Sequence, residues 1–216
     1  MITKTTVPLE EGNYYHIYNH ANGNDKVFFS EENYRFFLVK YQEYISPMAD
    51  TFAYCLMPNH FHFLVKIKEE VDLFTWLKAN GKISEVPQTL SGFGNTDPFS
   101  LLISRQFSHF FNSYAQAINK QENRIGSLFA RPFKRKKITS EKQLRYTLIY
   151  IHNNPINHGF VVNVENWIHS SFHTFLGERP TMLKRNEAIE WFGNKENFLF
   201  YHKYYSEVLI DENEIS

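Results

Sequence analysis

The sequence has little of what defines several common classes of protein. Cys55 is the single cysteine among 216 residues, which excludes a disulfide scaffold and a zinc cluster built from cysteines. Lys and Arg together number 23, as do Asp and Glu, so a uniformly basic or acidic protein is also excluded. No apolar run reaches the roughly 18 residues of a membrane helix, and the first residues lack a secretory pattern. We therefore expect a cytoplasmic protein that makes no contact with a membrane.

The length fits one domain with additions, or at most two small domains. We expect the main domain to span residues 1–177. An insertion containing several glycines and prolines interrupts it near residues 80–100. The more acidic residues 178–216 are expected to pack as a C-terminal appendage.

Hydrophobic patterning predicts both strands and helices. Aromatic and β-branched runs indicate strands at residues 14–20, 51–57 and 60–67, the last two joined by a turn at Pro58-Asn59. Apolar spacing and capping residues indicate helices at residues 31–45, 71–79, 100–119 and from about Ser140 to Pro155, where the proline should end or kink the helix. The strand–helix–strand–strand order suits an antiparallel sheet with helices on one face, which is an α+β fold.

The most specific local feature is a pair of histidines within one predicted strand. Because side chains alternate along a strand, His60 and His62 share one face, whereas Phe61 and Phe63 share the other. Two imidazoles at this spacing can reach one divalent ion, since imidazole is a good ligand for transition metals. The alternative is a pair of ordinary polar side chains on a solvent-facing strand surface. Periodicity alone leaves both interpretations open.

The last predicted helix carries a second candidate group. Tyr146, Tyr150 and Asn154 recur at intervals of four, so they lie along one stripe of the helix. A tyrosine can attack phosphorus when a cation and a metal lower its effective pKa from about 10, and Asn154 could supply a neutral oxygen ligand. However, a helical tyrosine is usually a core residue, and Pro155 disfavours helical geometry at Asn154. Spacing alone therefore assigns neither tyrosine a role.

A third feature is the basic segment from Arg131 to Lys137, which has five cations in seven positions and no acid. With Arg124 before it and Phe129 and Phe133 beside it, the segment could bind phosphates and stack bases. A solvated loop is the simpler interpretation. Because the rest of the chain must be net acidic to balance this segment, we favour a surface for a polyanion. The candidate DNA contacts are Arg124, Arg131, Lys134, Arg135, Lys136 and Lys137.

Together these features resemble a known family. Tyr54-Cys-Leu-Met-Pro-Asn-His-Phe-His62 is similar to the HUH strand of the single-tyrosine HUH transposases, in which two histidines flank a hydrophobic residue. Tyr150-Ile-His-Asn-Asn-Pro155 is similar to their tyrosine helix, and Tyr15-His-Ile-Tyr-Asn19 to their opening strand. The likeness spans roughly residues 13–177 and is closest to the REP-associated tyrosine transposases.

The resemblance implies a fold, an activity and a set of site residues. The fold would be a ferredoxin-like antiparallel sheet with helices on one face, followed by a C-terminal helical extension. Family members cleave single-stranded DNA, commonly near a hairpin, and form a covalent 5′-phosphotyrosine link that a 3′-hydroxyl later attacks. By this resemblance Tyr150 would be the nucleophile, and His60, His62 and Asn154 would hold a divalent metal, Mg²⁺ or Mn²⁺. A homodimer is compatible with the resemblance, which leaves open whether the tyrosine acts in its own subunit or a partner's.

Two departures from the family pattern affect positions expected to contact DNA. Relatives usually continue Asn-Pro with Val-Arg-Ala-Gly, whereas this chain has Ile156-Asn-His-Gly159, and an arginine is common where it has His20. Loss of these cations favours an alternative function, a domesticated protein that binds structured single-stranded nucleic acid without cleaving it. A metal-dependent hydrolase of small substrates ranks last, because the sequence offers no motif for a water-activating acid.

Overall fold

A four-stranded antiparallel sheet forms the centre of the protein. The computed structural model describes residues 7–79 and 97–204, and within them the strands lie in the order β2-β3-β1-β4. Their bounds are β1 (Tyr14–His20), β2 (Ala49–Met57), β3 (His60–Ile67) and β4 (Lys134–Ile138). The three predicted strands, the turn at Pro58-Asn59 and the α+β class are confirmed.

The sequence patterns do not predict β4. Four of its five residues are cations, which hides any hydrophobic alternation but is typical of an exposed sheet edge. The strand pairs antiparallel with β1, so that Lys134 lies opposite Tyr18 and Lys136 lies opposite His16. Most of the basic segment is therefore an edge strand rather than a solvated loop.

The predicted helices are present as α1 (Glu31–Tyr44), α2 (Glu70–Ala79), α3 (Pro98–Gln121) and α4 (Glu141–Asn157). Helix α3 begins two residues earlier than predicted, because the Asp97 carboxylate accepts hydrogen bonds from the backbone N–H groups of Phe99 and Ser100. Residues 80–96 of the predicted insertion lie outside the described residues. No helix within residues 7–79 and 97–204 combines the length and hydropathy that a membrane span requires.

The sequence predicts that α4 ends or kinks at Pro155, and the helix ends two residues later, at Asn157. The proline lies in the last turn, where its ring removes a single backbone hydrogen bond. The turn is closed by the His158 N–H, which donates to the Asn154 carbonyl at 3.0 Å. Asn154 therefore keeps helical geometry, one turn beyond Tyr150.

The sheet is covered on both faces. Helices α1 and α3 pack on the face that carries Phe61 and Phe63, as the alternation predicts. Helix α4 packs against β2 and β3 on the other face, where Ala53, Cys55 and Leu64 are buried. The expectation of helices on one face thus describes α1 and α3, whereas the buried small and apolar residues of β2 and β3 provide a second surface for α4 on the other face.

Shorter helices follow as α5 (Phe172–Leu176), α6 (Arg185–Glu190) and α7 (Lys195–Lys203). The chain from His169 to Lys184 is hydrogen-bonded along the outer edge of β2. The Leu56 N–H donates to the His169 carbonyl, and the Lys184 N–H donates to the Thr51 carbonyl, each at 2.9 Å. These bonds satisfy backbone groups that an edge strand would otherwise leave to solvent. The domain boundary expected at residue 177 stays a prediction.

A chain of buried polar side chains joins α4 to the C-terminal helices. His202 Nδ1 lies 2.7 Å from the Phe198 carbonyl oxygen, which can only accept, so this nitrogen carries a hydrogen. His202 Nε2 then accepts from His152 Nδ1 at 2.9 Å, and His152 Nε2 accepts from the Ser171 hydroxyl at 2.7 Å. Both rings are neutral in this arrangement, and burial lowers the pKa of His202 to about 4.

The free energy of unfolding should decrease as the pH falls through this range. The pKa of His202 is 6.5 without the folded environment and lower when folded, so the unfolded chain binds the proton more tightly. The contribution of His202 to the free energy of unfolding is complete above pH 6.5 and decreases as the pH falls, by about 3 kcal/mol near pH 4. Urea unfolding at a series of pH values measures this loss. The His202→Gln variant does not titrate and should show a flatter profile; parallel profiles would contradict the assignment.

Candidate active site

Two histidines of β3 lie beneath helix α4. Their rings meet edge to face, with centroids 5.2 Å apart. The His62 side chain is 6% exposed and His60 is half-buried, so the solvent-facing interpretation of this strand surface is wrong. Because α4 packs over this face of the sheet, the two histidine side chains lie at the bottom of a candidate site between the helix and the sheet.

Helix α4 brings its two predicted residues to these histidines. Tyr150 is half-buried, and its ring lies edge-on to His62 with centroids 5.6 Å apart. One turn later, Asn154 Oδ1 lies 2.8 Å from His60 Nε2. Burial of the apolar stripe of α4 sets the rotation of the helix, which directs these two side chains toward β3. Tyr146 lies one turn before Tyr150.

His16 of β1 completes the group, and the sequence motifs do not select it. Its Nε2 atom lies 2.8 Å from His62 Nδ1, and its ring stacks on Tyr18 with centroids 4.7 Å apart. Tyr150 lies edge-on to His16 as well, at 5.9 Å. Strand alternation could have found it, because Tyr14, His16 and Tyr18 share the sheet face of His60 and His62.

Burial sets the protonation states of these groups. It lowers the pKa of His16 to about 3 and holds the pKa values of His60 and His62 below their usual range. Burial also raises the pKa of the Tyr150 phenol, and the Asn154 side chain partly offsets this effect. At neutral pH the imidazoles are therefore uncharged, with lone pairs suited to a cation, while the phenol keeps its proton.

The polar contacts of His60 suit a divalent cation. Its Nδ1 lies 2.7 Å from Asn59 Oδ1 and its Nε2 lies 2.8 Å from Asn154 Oδ1, so both ring nitrogens face an oxygen that accepts. A neutral imidazole has one N–H and satisfies only one of these contacts. A cation beside Nε2 and the Asn154 oxygen would satisfy both lone pairs.

The Asn154 side chain adds a second sign of an incomplete site. Its buried Nδ2 atom makes no hydrogen bond of ordinary geometry among the described residues, although the amide is close enough to the Tyr150 phenol to lower its pKa. Within the same residues, no cluster of three or more His, Cys, Asp and Glu side chains is suited to a metal. Any ion here would thus depend on His60, His62 and the Asn154 amide oxygen. Imidazole nitrogen and amide oxygen together fit Mn²⁺ better than Mg²⁺, which prefers oxygen.

The predicted basic surface is divided between the two faces of β4. Lys134 and Lys136 lie on the face of the histidines, and the Lys134 ammonium sits 5.9 Å from the centroid of the Tyr18 ring. Other members contact groups within the protein: Arg135 with Ser104, Lys137 with Glu10, and Arg124 with Asp25. The six candidate cations therefore do not form one continuous patch on the histidine face.

A cleft of about 720 Å³ lies between α3 and the chain that precedes β4. Arg131 and Arg135 line it together with Ser104 and Asn112 of α3. Its lining does not include Tyr150, His60 or His62, so these two arginines are separated from the candidate site.

The two departures from the family pattern lie beside His60. The His158 ring packs against the His60 ring with centroids 4.8 Å apart, and both His158 and His20 are close enough to lower the pKa of His60. Substitution at these positions thus changes the immediate surroundings of a predicted ligand, in addition to removing cations from positions that the resemblance predicts to contact DNA.

The chain was compared with known sequences and structures to test the predicted resemblance to the REP-associated tyrosine transposases. No family model matches the sequence. The chain is 30% identical over 124 residues to a Haemophilus influenzae protein named as a REP-associated tyrosine transposase, a match that covers 57% of this chain and 59% of that protein. The solved structure of the REP-associated tyrosine transposase bound to a REP hairpin shares the fold with a TM-score of 0.56 at 16% identity, over 81% of this chain and 86% of that chain. The resemblance to the REP-associated tyrosine transposases that the motifs predict is therefore confirmed, in sequence by one relative and in fold by another.

Proposed function

We propose that this chain is a REP-associated tyrosine transposase that cleaves and rejoins single-stranded DNA next to a hairpin. The observation that carries the proposal is the convergence of Tyr150 and Asn154 from α4 with His60 and His62 from β3. The Haemophilus relative is named as such a transposase, and the neighbour in fold was solved with a REP hairpin. The relative's name supports the transposase, and the neighbour's bound hairpin supports hairpin DNA as the substrate.

In the proposed reaction the Tyr150 oxygen attacks a phosphorus atom of the strand. A bond forms between the phenol oxygen and phosphorus, and the bond from phosphorus to the 3′-oxygen breaks. The phenol loses one proton and the leaving 3′-oxygen gains one, so the step is balanced. The resulting 5′-phosphotyrosine link keeps the energy of the phosphodiester, and attack by a 3′-hydroxyl reverses the step and rejoins the strands.

His60, His62 and Asn154 would hold the divalent ion, Mg²⁺ or Mn²⁺. When bound, the ion supplies charge neutralisation at the phosphate and a field that favours the phenolate. The protein's own side chains orient the nucleophile: the rings of His16 and His62 meet the Tyr150 ring edge-on and limit its movement. Its half-buried position screens the phenol partly from water.

A covalent adduct tests the proposal. Incubation with labelled hairpin DNA that has single-stranded flanks, in the presence of Mn²⁺, should yield a protein–DNA species that survives boiling in SDS. Mass spectrometry should locate the nucleotide on Tyr150, and EDTA should prevent the reaction. Absence of an adduct across varied hairpins would count against the transposase. Salt-sensitive hairpin binding that is indifferent to EDTA would then indicate the non-cleaving binder.

Lys134 should contribute to hairpin binding, whereas Lys137 should contribute little. Lys134 is exposed on the face of β4 nearest the candidate site, while Lys137 lies on the opposite face and pairs with Glu10. Lys134→Ala should weaken binding and lower the slope of log affinity against log salt by about 1. Fluorescence anisotropy over a salt series measures this slope, with Lys137→Ala as the matched control. Equal slopes for the two variants would reject this placement of the DNA.

A further inference from the structure

A buried hydrogen bond joins His16 to His62. The two ring nitrogens, His16 Nε2 and His62 Nδ1, lie 2.8 Å apart, and the side chains are 4% and 6% exposed. One nitrogen must donate and the other must accept, because a contact of this length holds a single hydrogen. The bond therefore has two forms, which differ in the ring that carries the shared hydrogen.

The two forms give the second nitrogen of His62 opposite chemistry. When His62 Nδ1 donates, Nε2 of the neutral ring carries a lone pair and can bind a metal ion. When His16 donates, the hydrogen of His62 lies on Nε2, which then cannot bind one. Histidines that bind metals usually donate their other N–H to a fixed acceptor, which sets both tautomer and ring orientation. In this site His16 stands where that acceptor is needed.

The surroundings of His16 favour a neutral ring held in one orientation. The ring stacks on Tyr18 with an interplanar angle of 26°, and the Tyr150 ring meets it edge-on. Lys136 lies opposite His16 in the β1–β4 pairing, and a cation at that position opposes a second positive charge. A neutral His16 keeps a lone pair on one ring nitrogen, which is what an acceptor requires.

We propose that His16 is a positioning residue, which accepts a hydrogen bond from His62 Nδ1 and so keeps the His62 Nε2 lone pair available to a divalent ion. The inference rests on the proposed role of His62 as a metal ligand. This role makes strand β1 part of the site, because the His16 side chain acts on the metal ligand His62 rather than on DNA.

Nitrogen NMR of the metal-free protein tests the tautomer directly. In protein labelled with ¹⁵N-histidine, His16 and His62 should both carry their hydrogen on Nδ1 at neutral pH. A hydrogen on Nε2 of His62 would overturn the inference, whatever the protein does to DNA. The measurement needs neither metal nor substrate, so its result is independent of the proposed function.

Two variants separate positioning from packing. His16→Phe keeps an aromatic ring against Tyr18 but removes the acceptor, so Mn²⁺ affinity should fall by about 10- to 100-fold. His16→Gln offers an amide oxygen as acceptor and should keep most of the affinity. Titration with Mn²⁺ followed by electron paramagnetic resonance measures all three proteins. Equal affinity of wild type and His16→Phe would overturn the inference. A wild type that binds no Mn²⁺ yet has the expected tautomers would reject the proposed metal site and leave the hydrogen-bond direction supported.

Discussion

Tyr150→Phe should abolish the covalent adduct with hairpin DNA. The change removes one oxygen atom, the proposed nucleophile, and keeps the ring that packs against His16 and His62. Because the side chain is half-buried and its volume barely changes, the fold and the hairpin affinity should persist. Denaturing gels measure the adduct, and anisotropy measures binding on the same preparations. Loss of the adduct with retained binding separates a missing nucleophile from a damaged surface.

Tyr146→Phe is the matched control for this experiment. It makes the same chemical change on the same helix, one turn earlier, where the ring contacts Lys142. The adduct should form at the wild-type level in this variant. An equal loss in both variants would point to a general effect on α4, and an adduct in Tyr150→Phe would remove Tyr150 as the nucleophile.

His60→Ala should slow cleavage by about 100-fold or more while hairpin binding is retained. Its Nε2 atom lies beside Asn154 Oδ1, at the polar contact most suited to a cation. Stabilisation of transition-state charge by a metal amounts to several kcal/mol, and each 1.4 kcal/mol corresponds to about tenfold in rate. Because His60 is half-buried, truncation should disturb packing less than at His62. Rates of adduct formation over a range of Mn²⁺ concentrations measure the effect.

His109→Ala is the control for loss of a histidine as such. His109 is exposed on α3, which packs on the face of the sheet opposite His60 and His62. This variant should cleave at the wild-type rate at every Mn²⁺ concentration. A wild-type rate in His60→Ala, with unchanged dependence on Mn²⁺, would argue against His60 as a ligand.

The parts of the site that the sequence predicts are those set by local periodicity. Alternation along β3 placed His60 and His62 on one face, and the helical repeat placed Asn154 one turn beyond Tyr150. Only the family resemblance predicts that α4 packs against β3. The two elements are far apart along the chain, and no local pattern in the sequence relates them. The roles of these residues stay predictions, which the variants above address.

The parts that the sequence missed depend on contacts distant along the chain. His16 takes its place in the site only through the pairing of β1 with β3 and its bond to His62. The hydrophobic pattern does not predict strand β4, because four of its five residues are lysine or arginine and show no alternation of apolar and polar side chains. The helix continues for two residues past Pro155, because a proline in the final turn of a helix removes one hydrogen bond and does not stop the chain from turning.

The two outer strands of the sheet are protected by different means. Backbone bonds from the chain after α4 cover β2, whereas β4 is the last strand of the described sheet and carries a row of lysines. An open strand edge tends to recruit a strand from another molecule, and charged side chains on that edge oppose this. Two copies meeting edge to edge at β4 would bring like charges together, so fibre-like growth of the sheet is disfavoured. The same charges that keep copies apart leave this edge attractive to phosphates.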